Sequence, residues 1–130
     1  MNSPTSAPDP VHDSTGSAAD ALRDISEVAA VEVITTAAVH LMSAAAVKCG
    51  LGDGTAAQSA AETDLDEARK LINALAGLID AAAADIGNQH ARSLRDGLRS
   101  LQLAFREASI IPDEPGKGPG EKYTGPVRAR

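Results

Sequence analysis

Aromatic side chains are nearly absent from this chain. Phe105 and Tyr123 are the only two among 130 residues, and there is no tryptophan. A core without rings must be aliphatic and built from close approach of backbones. Cysteine is equally scarce: Cys49 stands alone, so no internal disulfide can form, and a reducing cytoplasm is the natural setting. Positive charge is in the minority, with 12 basic against 18 acidic side chains and a net charge of −6. That balance favours solubility and excludes wrapping nucleic acid with the whole surface, although a local basic patch remains open. The opening MNSPTSAPDPVHDSTG has neither a basic n-region nor an apolar run, so no secretory leader is expected. No internal repeat is visible.

The hydrophobic fraction is ordinary at 43%, but alanine supplies much of it, and alanine has the best intrinsic helix propensity. The bias is toward an all-α fold with room for one core. Residues 1–24 are rich in Ser, Thr, Pro and Asp and read as a disordered arm, because they cannot bury enough surface to offset the entropy of ordering. Asp24-Ile25-Ser26-Glu27 has the spacing of a capping box, which opens a first helix running to about Cys49. Gly50, Gly52 and Gly54 stop it, and residues 50–63 read as a flexible loop of small residues. Asp64-Leu65-Asp66-Glu67 opens a second helix, in which Leu65, Ala68, Ile72, Leu75, Ile79 and Ala82 recur at helical spacing. A third begins near Asn88 and places Ala91, Leu94, Leu98, Leu101, Phe105 and Ala108 in steps of three and four. Pro112 ends it. The expected architecture is a three-helix bundle over residues 25–111, its last two helices forming an antiparallel hairpin, with a flexible Pro- and Gly-rich tail over 112–130.

The first helix raises the functional question. Within AVEVITTAAVHLMSAAAVKCGL, fifteen residues separate Glu32 from Lys48, roughly 22 Å of helix against the roughly 30 Å of a bilayer core. Thr35, Thr36, His40 and Ser43 argue further against a membrane span. Around the helix axis, Ile34, Leu41 and Met42 gather with Ala38, Ala45, Val31 and Cys49, while Glu32, Thr36, Ser43 and His40 gather opposite. Val33, Val39 and Val47 flank this narrow polar seam. So broad an apolar arc exceeds what two partner helices cover, which predicts a homodimer or a protein partner. The interface candidates are Ile34, Val39, Leu41 and Met42.

No reactive constellation appears. His40 at the edge of an apolar helix reads as a hydrogen-bonded or interfacial histidine before it reads as a ligand, though its titration range would make such an interface pH-sensitive. Cys49 points to roughly the other side of the helix, His12 lies in the arm and His90 opens the third helix, so no metal site is expected. The acids sit in capping positions, without a nucleophile and positioned base, so neither an enzyme nor a cofactor is expected. The Gly50, Gly52, Gly54 run follows a helix instead of a strand, the wrong context for a phosphate-binding turn. Arg92, Arg95, Arg99 and Arg106 stripe the third helix. They read either as a solvated face or, because guanidinium forks suit phosphate and carboxylate, as a contact for nucleic acid or an acidic partner. Lys117, Lys122, Arg128 and Arg130 around Tyr123 extend that basic character.

The words DISEV, AVEVITTAAVHLMSAAAVK, DLDEARKLINALAGLI, LRDGLRSLQLAFREAS and GPGEKYTGPV resemble the actinobacterial branch of a family catalogued as domain of unknown function 1844. The resemblance implies a small cytoplasmic helical protein without assigned activity, cofactor or catalytic residue. It also implies a link to translation, since actinobacterial relatives are often encoded beside initiation factor three and two ribosomal proteins. Two readings follow. The first is a non-enzymatic interaction or oligomerisation protein; the second is an accessory RNA- or ribosome-binding protein using the arginine stripe and basic tail.

Overall fold

The computed structural model describes residues 26–128. Besides helical Ser26 and Glu27, five helices lie there and no strand: α1 (Ala30–Lys48), α2 (Ala56–Glu62), α3 (Leu65–Ile86), α4 (Asn88–Ala108) and α5 (Glu121–Thr124). The all-α expectation holds. The expected arm over 1–24 and the capping residue Asp24 lie outside the described residues. The chain divides into two compact units, residues 1–33 and 34–130, with the boundary inside α1. In the first, Ser26 and Glu27 are helical, and after a break at Val28 and Ala29 the Ala29 carbonyl accepts from the Glu32 and Val33 amides to open α1 at Ala30. The expected start at Ile25 lies outside the described residues.

In the second unit, α3 and α4 are joined only through Gly87, whose φ of +89° suits a residue without a Cβ. Their register is antiparallel. The Arg69 guanidinium carbon stands 4.9 Å from the Phe105 ring centre, Gly120 inserts between Ala76 and Gln102, and Ile79 shares a cleft with Leu98. As the α3 position rises from 69 to 76 to 79, its α4 partner falls from 105 to 102 to 98. Ile72 and Leu75 are fully buried at the centre of this pair, each stabilising the fold by about 1.5–3 kcal/mol. Asp64 caps α3 by accepting from the Glu67 amide at 3.2 Å. Glu67 does not reach back to complete a capping box; its carboxylate pairs with Lys70 at 2.6 Å.

α1 adds little bulk to this core. Of its residues only Ala38 and Ala45 are buried, followed just past its end by Cys49. Met42 packs against α4 where Gly97 makes room: a Cβ at Gly97 would come within 2.5 Å of the methionine sulfur. Asp64 ties the helix ends together, donating its amide to the Lys48 carbonyl at 2.8 Å. Burial pushes the Cys49 thiol above its ordinary value of 9.0.

Two segments expected to lack structure have it. Residues 50–63 contain α2, capped by a full capping box: Thr55 Oγ1 accepts from the Gln58 amide at 3.1 Å, and Gln58 Oε1 accepts from the Thr55 amide at 2.8 Å. The larger correction concerns the expected flexible tail. Residues 113–127 fold back over α3 and α4 as a strap. Asp113 pairs with Arg69 at 2.9 Å, the Gly120 amide donates to Asn73 Oδ1 at 2.7 Å, and Gln102 Nε2 donates to the Pro119 carbonyl at 3.0 Å and to Thr124 Oγ1 at 3.1 Å. The buried Glu121 carboxylate accepts from the amides of Gly116, Gly118 and Val127 at 2.8–3.0 Å. Glycine and proline do prevent a long helix here. Side-chain acceptors and donors satisfy the irregular backbone instead, so composition alone misjudged the segment.

Candidate functional site

The outward face of α1 is poor in charge where a small bundle ordinarily presents it. Val33 is 45% exposed and Val39 is 51% exposed, flanking a polar seam of exposed Glu32, Thr36, His40 and Ser43, with Ala37 exposed as well. The four interface candidates do not form one outward patch. Ile34 and Leu41 are half-buried on one flank, Met42 is half-buried and turned to Gly97, and Val39 lies open on the other flank. By length and composition, α1 is also apolar enough to cross a membrane, with a mean hydropathy of 1.6, and 11% of that window is buried.

Sequence reasoning missed a second exposed apolar feature. Ile110 and Ile111 are 97% and 85% exposed just beyond α4, at the same end of the hairpin as the start of α3. The signal was available: two adjacent β-branched residues between a helix end and Pro112 have no periodic pattern to carry them inward.

The arginine stripe is exposed along its whole length, but its members do different things. Arg99 donates to the Arg128 carbonyl at 2.7 Å, and Arg106 donates to the Asp113 carbonyl at 3.4 Å, so both hold the strap. Arg92 and Arg95 have no hydrogen-bond or ion-pair partner among the described residues. His40 and His90 are exposed, and among the described residues no three His, Cys, Asp or Glu side chains converge.

The strap creates a cleft that no linear motif announced. Its volume is about 370 Å³, and its buried lining is Ile79, Leu98, Gln102 and Val127. The exposed members are Asp80, Arg95 and Arg99 from the helices and Tyr123, Thr124 and Pro126 from the strap. Tyr123 is seated on Gly77, where a Cβ would stand 3.1 Å from its hydroxyl. The Lys122 ammonium lies 5.1 Å from the centre of the same ring.

Among curated proteins and solved structures, none matches this chain. A sequence family does, over residues 30–107. That span runs from the first residue of α1 to the last turn of α4, taking in the apolar helix, its capped connection and the hairpin, and it stops short of the strap. Since the matched stretch is more than half of the molecule and coincides with its helical core, the chain belongs to the family described as Domain of unknown function (DUF1844).

Proposed function

We propose that this protein is a non-enzymatic helical interaction module of the cytoplasm that self-associates or docks a partner protein through α1. The observation that carries this reading is the mismatch in α1 between length and burial. A 19-residue apolar helix gives only Ala38 and Ala45 to the interior and leaves Val33 and Val39 about half exposed. An apolar surface of this kind is stabilised by covering it. A bilayer would serve less well, because Glu32, Thr36, His40 and Ser43 share that helix and would meet hydrocarbon.

Analytical ultracentrifugation across the micromolar range is the direct test. The chain is expected to sediment as a dimer or to pull down a stable protein partner. V39E is expected to abolish either one while changing unfolding stability by no more than about 0.5 kcal/mol, since Val39 faces out. A strict monomer with no partner, or an association indifferent to V39E, rejects the reading. Recovery of the protein in the pellet after a carbonate wash rejects the cytoplasmic setting.

A second reading keeps Arg92 and Arg95 as an accessory RNA or ribosome contact, supported by their lack of partners among the described residues. It is narrower than the four-residue stripe expected from the sequence, since Arg99 and Arg106 also serve the strap. Phosphate contacts make affinity fall steeply with salt, whereas apolar docking responds little. Ribosome co-sedimentation unchanged by reversing the charge of Arg92 and Arg95 eliminates it.

A further inference from the structure

We infer that the cleft between the strap and the α3–α4 hairpin is a binding site for a small carboxylate carried on a short aliphatic body. The inference is independent of what α1 docks, because it rests on other residues and another ligand.

Three observations converge on that chemistry. The cleft's volume of about 370 Å³ falls at the lower end of the roughly 300–1,000 Å³ of small-molecule sites, which suits a short chain and excludes a docked helix. Its buried walls are aliphatic: Ile79 and Leu98 from the two helices and Val127 from the strap. Its exposed edge carries two guanidinium groups in a chain whose net charge is −6. Arg95 has no partner among the described residues, and Arg99 commits one nitrogen to the Arg128 carbonyl, which leaves its remaining donors for a ligand.

Charge sets the class of anion. Asp80 also lines the cleft, so the lining residues sum to one net positive charge, with the Lys122 ammonium beside Tyr123 just outside them, a balance that suits a monoanion. A carboxylate matches the planar fork of Arg95, and its aliphatic portion covers Ile79, Leu98 and Val127. The Thr124 hydroxyl contributes less to the ligand than its place in the lining implies, since it accepts from Gln102 and donates to the Gly125 carbonyl. The strap therefore holds the cleft's shape through Glu121 and Gln102, and the helices supply charge and apolar wall.

The test is a titration of the full chain with octanoate, acetate, 1-octanol and octyl phosphate, followed by amide chemical shifts in NMR. Octanoate is expected to bind saturably, with shifts confined to residues 79–80, 95–102 and 123–127. Acetate lacks the apolar body, octanol lacks the charge and octyl phosphate carries excess charge, so each is expected to bind at least about tenfold more weakly. R95Q is expected to weaken octanoate by about tenfold or more, the scale of one lost charge-assisted contact, without altering the thermal midpoint. Octanol binding as well as octanoate overturns the proposal, as does undiminished binding to R95Q. Absence of saturable octanoate binding, or shifts centred on α1, overturns it equally, even if R95Q fails to fold.

Discussion

Glu121 is a buried carboxylate inside a run of glycine and proline, and its two oxygens accept three backbone N–H groups. Charge-assisted bonds of this kind are worth about 1.5–3 kcal/mol each, and a donor left unsatisfied in the interior costs about 1–3 kcal/mol. E121A is expected to free the strap locally and leave the hairpin folded, because opening the strap lets those amides reach water. Hydrogen exchange at the Gly118 and Val127 amides should accelerate by about a hundredfold, with α3 and α4 little changed, and E121Q should fall between E121A and the parent. Cys49 makes a contrasting prediction. Its thiol is pushed up by burial, so it holds less thiolate than a free cysteine at a given pH and should alkylate slowly until the chain is unfolded in urea. The sign for stability follows from the same shift. The folded state resists losing the proton, so this contribution is complete below 9.0 and is lost as pH rises from 9.0 through the higher folded value. Urea unfolding at pH 8 and pH 10, compared with C49A, isolates it.

Among the elements, α2 shows how a local signal is outvoted by composition. The stretch 50–63 is small and glycine-rich, which reads as a loop, yet Thr55 and Gln58 stand three apart in capping-box spacing. A helix of seven residues with no buried residue gets little from packing, so its cap should matter more than usual. T55A is expected to cost α2 about 1 kcal/mol, enough to melt it without lowering the global midpoint, as faster amide exchange confined to residues 56–62 would reveal. The long helices were legible for the opposite reason. In α3 and α4 the buried positions Ala68, Ile72, Leu75 and Leu94, Leu98, Leu101 keep a helical period, and Asp64 and Gly87 mark their ends. The strap was illegible because its hydrogen bonds join residues far apart in the chain: Asn73 to Gly120, Arg69 to Asp113 and Gln102 to Thr124.

For the molecule as a whole, an apolar surplus is left exposed. α1 exposes Val33 and Val39, and Ile110 and Ile111 are exposed beyond α4. If α1 meets a second copy or a partner, covering it should raise apparent stability with protein or partner concentration. The thermal midpoint of the parent is therefore expected to rise between about 1 and 100 µM, or on adding a recovered partner, while that of V39E stays flat. The spacing of apolar and polar residues by itself determined that this chain is helical and which faces of α3 and α4 point inward, because these depend on neighbours three or four residues apart. Asp64 and Gly87 marked three of the four helix ends, while α4 stops at Ala108, ahead of the Pro112 expected to end it. Tertiary structure alone decided that Arg99 and Arg106 clamp a strap, that Met42 turns inward over Gly97 and that Arg95 stands at a cleft. Each of those outcomes depends on segments brought together only when α1, the hairpin and the returning chain pack, and no local period in the sequence encodes a meeting at that distance.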